Sequence, residues 1–248
     1  MAAMGVDRNA PRQIALEFAR TPGLSREELV VSAANAEAVA LVDAWPGWAS
    51  HVVVIAGPTG AGKTHLASIW RDEAGAFTAD PKRLGPDVLD AADGGAVLID
   101  DADAAGLDEN GLFHVINAAR SGNGHVLLTA RRFPAAWGIA LPDLKSRLAA
   151  ASTVEIREPD DLLLAGVITK LFADRQVDID PAVVQFLVKR IERSLATAIS
   201  VVERLDRQAL ETKSRVTRQL AASVLGAMDA GQEALDFGAG GKGSGRNE

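Results

Sequence analysis

Cysteine and tyrosine are absent from this chain, and aromatic side chains make up only 4% of its 248 residues. Without cysteine there can be neither a disulfide nor a thiolate metal site. With so few rings the core must be aliphatic, and a hydrophobic fraction of 48% rich in Ala, Val and Leu suits an α-rich globule. Also missing are a start resembling a signal peptide and any apolar run near the roughly 20 residues that a membrane span needs, so a cytoplasmic protein with no membrane partner is expected. Positive charge is in deficit as well. A net charge of −7 gives no overall attraction to a phosphodiester backbone, so nucleic acid would have to find a local basic patch.

What the chain does contain is a dense phosphate-binding signature. Gly57-Pro58-Thr59-Gly60-Ala61-Gly62-Lys63-Thr64 follows the apolar run Val52–Ile55 and leads into a helical stretch, the order in which a strand, a loop and a helix form a P-loop. Glycines let the backbone curl until several N–H groups converge on a polyphosphate. Lys63 then reaches the β- and γ-phosphates, Thr64 offers a hydroxyl to Mg²⁺, and the helix points its positive end at the anion. The expected ligands are ADP or ATP with Mg²⁺. A glycine-rich turn of purely structural purpose would not need lysine and threonine at these two places.

Strand-like runs at Val52–Ile55, Ala76–Ala79, Ala96–Ile99, Val126–Thr129 and Thr153–Ile156 alternate with helical stretches over 62–73, 87–92, 109–121 and 142–149. Short apolar strands separated by helices predict a five-stranded parallel sheet covered on both faces, an α/β fold. Beyond Glu158-Pro159 the pattern turns to helices only, over 161–174, 182–191, 195–211 and 217–228, which predicts a separate all-α lid. The expected division is a tail over 1–24, an α/β domain over 25–158, the helical domain over 159–228 and a Gly-rich flexible tail over 229–248. Both tails carry Q-x-x-L-x-F, as Gln13, Leu16 and Phe18 and again as Gln232, Leu235 and Phe237, and both copies are candidate partner-binding peptides, the second expected to contribute less.

A P-loop needs a carboxylate at the end of a neighbouring strand to complete the Mg²⁺ shell. Ala96-Val97-Leu98-Ile99-Asp100-Asp101 supplies two: Asp100 is the candidate metal holder beside Thr64, and Asp101 the candidate to orient an attacking water. Arg147, ahead of the final strand, stands where it would reach a neighbouring molecule's nucleotide, and Arg193 where it would fold back onto the chain's own. Spacing alone leaves both as solvated helix charges.

The order of motifs resembles that of the replication initiator DnaA, an AAA+ ATPase. The matching segments are Leu29–Asn35 ahead of the P-loop, Gly57–Leu66 including His65, Leu98–Asp101 at Walker B, Phe113–Ala118 on the following helix, Leu127–Thr129 at sensor 1 with Thr129 as the sensing residue, and Arg193 at sensor 2. The resemblance spans Leu29 to Leu225. An initiator continues into a helix-turn-helix DNA-binding domain, for which Val216–Glu248 leaves no room, so no sequence-specific DNA contact is expected. What remains is similar to the Hda family of DnaA-related AAA+ proteins.

That resemblance implies a nucleotide-bound adaptor. Gln13, Leu16 and Phe18 would plug into a groove of the β sliding clamp. Leu141–Leu148 matches the box VII segment, which makes Arg147 an arginine finger offered to DnaA, while a second copy of the chain is a further candidate partner. The chain departs from the family after Thr129, where Ala130-Arg131-Arg132 replaces an acidic residue two places on; a cation there implies weak or no intrinsic hydrolysis. The alternative is a stand-alone AAA+ ATPase of the clamp-loader or helicase-loader type.

Overall fold

The computed structural model describes residues 26–239 and, for residues 229 and 231–239, the backbone only. The sheet is parallel throughout, in the order β2-β3-β4-β1-β5. Its strands are β1 (Val52–Ala56), β2 (Phe77–Ala79), β3 (Ala96–Ile99), β4 (His125–Ala130) and β5 (Ser152–Glu155). β1 reads Val-Val-Val-Ile-Ala because it is the most enclosed strand, hydrogen-bonded to β4 on one side and β5 on the other and buried along its whole length.

Side chains alternate across the pleat and so divide between two cores. Val52 and Val54, with Val97, Ile99, Val126 and Leu128, pack under α3 (Pro86–Ala92), α4 (Glu109–Gly122) and α5 (Pro142–Ala149). Val53 and Ile55, with Leu98, Leu127 and Val154, pack under α1 (Ala36–Asp43) and α2 (Lys63–Ala74), where Trp48 stacks on the fully buried Trp70. A large apolar side chain enclosed like this contributes about 1.5–3 kcal/mol. The sheet is therefore a rigid platform whose C-terminal edge carries every loop of the site.

Residues 161 onward form the lid: α6 (Asp161–Asp174), α7 (Pro181–Val188), α8 (Leu195–Thr212) and α9 (Arg218–Ala239) around a third core that includes Phe172, Leu187, Val202 and Leu205. Aspartates cap the first two helices, Asp160 accepting from Leu163 N and Asp180 from Ala182 N, and Ser194 caps the third by accepting from Thr197 N. The lid is tied back to the α/β domain: Lys170 donates to the Glu27 carbonyl, and Gly166 faces the Val30 side chain closely enough that a methyl group there would crowd it.

Two elements differ from the sequence-based expectation. Helix α1 lies in a stretch that showed no helical reading; Asn35 precedes it but turns its side chain away from capping, accepting from Ser32 N and donating to Val30 O to fold the segment ahead. At the other end α9 continues to Ala239, so the backbone of Gln232, Leu235 and Phe237 is helical where a flexible tail from 229 was expected. Gln13, Leu16 and Phe18 lie outside the described residues.

Candidate nucleotide-binding site

The P-loop leaves the end of β1 with its first glycine pressed against the last turn of chain after β5. Gly57 has φ +154° and a β-carbon there would overlap the Ile156 carbonyl oxygen, so no larger residue fits. Its N–H donates to Ala130 O at 3.1 Å, which fixes the loop to the end of β4 as well. Gly62, also left-handed at φ +99°, turns the chain into α2, whose first residue is Lys63. Ala61 is buried beneath the loop, while Thr59 stands exposed on it.

Lys63 is buried, and its ammonium donates to Gly57 O and Pro58 O, each at 2.9 Å. Burial pushes its pKa down. Asp101, Asp100 and Asp103 oppose that shift, and Arg131 adds to it. Three carboxylates and a second cation therefore act on this ammonium from the ends of β3 and β4.

Those two strand ends converge on Asp100. Its Oδ2 accepts from Thr64 Oγ1 at 3.0 Å and its Oδ1 accepts a short hydrogen bond from Thr129 Oγ1. Thr129 is fully buried and also accepts, through Oγ1, from Asp101 N at 3.0 Å. The structure thus brings Lys63, Thr64, Asp100, Asp101 and Thr129 together at the ends of β1, β3 and β4. Thr64 and Asp100 offer hard oxygen donors side by side, which suits Mg²⁺, an ion that takes one or two protein oxygens and leaves its remaining positions to phosphate and water. Asp101 is exposed and left-handed at φ +52°, and its carboxylate is the first of the three that act on Lys63.

Three features were invisible to the sequence reading. Asp103 has a side chain only 4% exposed; it accepts from Arg131 N at 3.1 Å and faces the Arg132 guanidinium at 4.0 Å, so it sets the path of the two arginines that follow Thr129. Glu109, the first residue of α4, accepts from Ala140 N at 3.0 Å and Leu141 N at 2.7 Å, and so holds the turn from which α5 and Arg147 begin. The lid reaches the P-loop directly: Leu195 N donates to Gly60 O at 2.8 Å, and Gly60, at φ +75°, is in such close contact with Ser194 that a β-carbon would overlap its hydroxyl. A third acid so soon after Asp100-Asp101 was the one available signal; the other two contacts join residues far apart in the chain.

Arg147 is half-buried on α5, with Leu144 and Leu148 of the same helix anchored in the core. Among the described residues its guanidinium has no hydrogen bond or ion pair. Arg193 sits just ahead of α8 and is engaged at the junction between domains, donating to Pro159 O at 3.1 Å and to Asp161 at 2.8 Å. Here it ties the segment ahead of α8 to the start of α6.

Comparison with known proteins bears on both halves. Residues 167–225 match the protein-family model described as Hda, lid domain. Domain III of the replication initiation protein DnaA from Thermotoga maritima is similar over 83% of this chain and 97% of that one, with a TM-score of 0.71 and 19% identity. The RuvB Holliday junction branch migration motor of Thermotoga maritima matches with a TM-score of 0.66 and 20% identity, over 83% and 72% of the two chains. AMPPCP-bound DnaA from Aquifex aeolicus gives 0.65 and 18%, over 77% and 67%. The five-stranded sheet with its helical lid has the fold of an AAA+ module.

Proposed function

We propose that this Hda- and DnaA-related AAA+ protein is a nucleotide-bound adaptor of the cytoplasm that binds the β sliding clamp and stimulates hydrolysis of the ATP held by DnaA. The observation that carries the reading is the pairing of an Hda-type lid with a DnaA-like base whose α5 holds Arg147 without a partner among the described residues. A guanidinium placed against developing phosphoryl charge accelerates hydrolysis by roughly 10³–10⁵ in related switches.

The chain's own nucleotide has a different task. The N–H groups at the start of α2, with Lys63, would cradle its phosphates; Thr64 and Asp100 would hold Mg²⁺; and Thr129 keeps Asp100 in the rotamer that serves Thr64. When bound, the ion neutralises phosphate charge. Ser194 and Leu195 already rest on the P-loop, so a nucleotide seated there fixes the angle between base and lid. Arg131 and Arg132, steered by Asp103, replace the acid expected after Thr129 and leave Asp101 as the carboxylate free to orient water. That balance favours holding nucleotide over turning it over.

Clamp binding is assigned to Gln13, Leu16 and Phe18. Phosphate release from DnaA–ATP, followed with and without clamp loaded on DNA, tests the reading. The adaptor requires both this protein and the clamp, and Leu16→Ala with Phe18→Ala abolishes the stimulation. Release by this protein alone, at the same rate whatever else is present, identifies a stand-alone AAA+ ATPase instead.

A further inference from the structure

One corner of the lid is charged oppositely to the molecule as a whole. Lys189 and Arg190 follow α7, Lys213 and Arg215 occupy the turn from α8, Arg218 opens α9, and no acidic residue stands between Glu211 and Asp229 in a chain of net charge −7. The two stretches meet at Phe186. The Cζ atoms of Arg190 and Arg218 lie 4.0 Å and 4.8 Å from the centroid of its ring. Among the described residues none of these five cations has an ion pair or a side-chain hydrogen bond. Elsewhere in the lid, Arg175 and Arg193 are paired with Asp206 and Asp161. The acid next in sequence, Glu192, accepts from Thr197 Oγ1 at 3.3 Å instead of meeting Arg190.

Two guanidiniums sharing one ring repel each other, and an incoming anion relieves that repulsion. Each is also preoriented by its ring contact, so its planar fork of donors loses less freedom on meeting a phosphate than a free side chain would. We propose that this corner binds the phosphodiester backbone of duplex DNA without reading its sequence. Phe186 is only 8% exposed, so it is a platform for the arginines and offers no face on which an unpaired base could stack; this favours duplex over single strand. An acidic protein surface is the weaker occupant. Leu210 is the one large apolar side chain exposed on α8 and α9 among the described residues, too little for the apolar centre of a protein interface. The inference uses neither Arg147 nor the clamp and stands apart from the adaptor reading.

The test is fluorescence anisotropy of a short labelled duplex of arbitrary sequence, titrated with the full chain over a range of salt concentrations. Each phosphate contact adds about 0.9 to the slope of log affinity against log salt. Arg190→Ala with Arg218→Ala is expected to weaken binding and reduce that slope by about 2. Lys213→Ala with Arg215→Ala, in the turn and away from Phe186, is expected to do the same with the melting temperature unchanged, which separates charge loss from damage to the lid. Arg190→Lys with Arg218→Lys keeps most of the slope, and Lys82→Ala, an exposed cation of the α/β domain, leaves binding as it was. Unchanged affinity and slope in both alanine pairs overturns the proposal, as does competition by polyglutamate equal to that by duplex, which would make the corner a site for acidic protein.

Discussion

At the residue scale the site turns on a buried ammonium. Lys63 is held by two loop carbonyls at 2.9 Å; burial lowers its pKa, and the carboxylates of Asp101, Asp100 and Asp103 offset part of that cost to its charge. Lys63→Ala removes the charge that a polyphosphate would meet. In the wild type, ADP at 100 times its Kd should stabilise the fold by about 2.7 kcal/mol and raise the melting temperature accordingly. The variant should show no such rise in differential scanning fluorimetry, and an undiminished rise would remove the P-loop from the account. A second residue-scale effect lies at the opposite edge of the sheet. His125 packs edge-on to Trp48 with ring centroids 5.6 Å apart, and burial first and His51 second lower its pKa. A lowered folded-state pKa means that the unfolded chain takes the proton more readily. Stability should therefore be full above the ordinary histidine pKa of about 6.5 and fall as pH drops below it. His125→Gln should flatten that part of a melting-temperature profile against pH.

At the scale of elements, the loops around the site form a chain of contacts from β3 to α5. Asp108 caps α4 by accepting from Gly111 N at 2.8 Å, and its neighbour Glu109 holds the two backbone N–H groups ahead of α5. Removing a carboxylate that satisfies helix-entry N–H groups costs about 0.5–2 kcal/mol. Because Leu144 and Leu148 keep α5 in the core, Glu109→Ala should leave the helix formed and let its first turn move. Stimulation of DnaA should then fall several-fold while clamp affinity stays constant. Glu109→Gln, which retains an acceptor oxygen, should keep most of the stimulation. Equal stimulation by the alanine variant and the wild type would show that α5 needs no such latch.

The elements also show how much of the design could be read in advance. β1 and β3 were legible because buried parallel strands are continuous apolar runs, and the P-loop and Asp100 because their spacing is local to a strand end, whereas Thr129 was reached only through the resemblance to DnaA. Helix α1 was not, since Ala36–Asp43 is apolar on most sides and lacks a clear polar stripe. Asp103, Glu109 and the seat of Ser194 on Gly60 depend on the tertiary approach of segments far apart in sequence, which no periodicity encodes. Arg193 was legible as a cation at the right place, but its direction is decided by Asp161 and the Pro159 carbonyl.

On the scale of the whole molecule, base and lid are joined by the Leu195–Gly60 hydrogen bond and the Lys170–Glu27 contact, so the P-loop and the orientation of the lid are mechanically linked. The exposed Arg193–Asp161 pair lies within the lid, between the segment ahead of α8 and the start of α6, and contributes about 0–1 kcal/mol. The adaptor account needs this assembled shape to present α5 to a partner while the N-terminal segment holds the clamp. Arg147→Ala measured for phosphate release from DnaA–ATP on clamp-loaded DNA tests that claim most directly, with ADP binding and clamp binding measured alongside. The account predicts that both binding measurements match wild type and that stimulation disappears. Full stimulation by the variant, with both bindings intact, would contradict it.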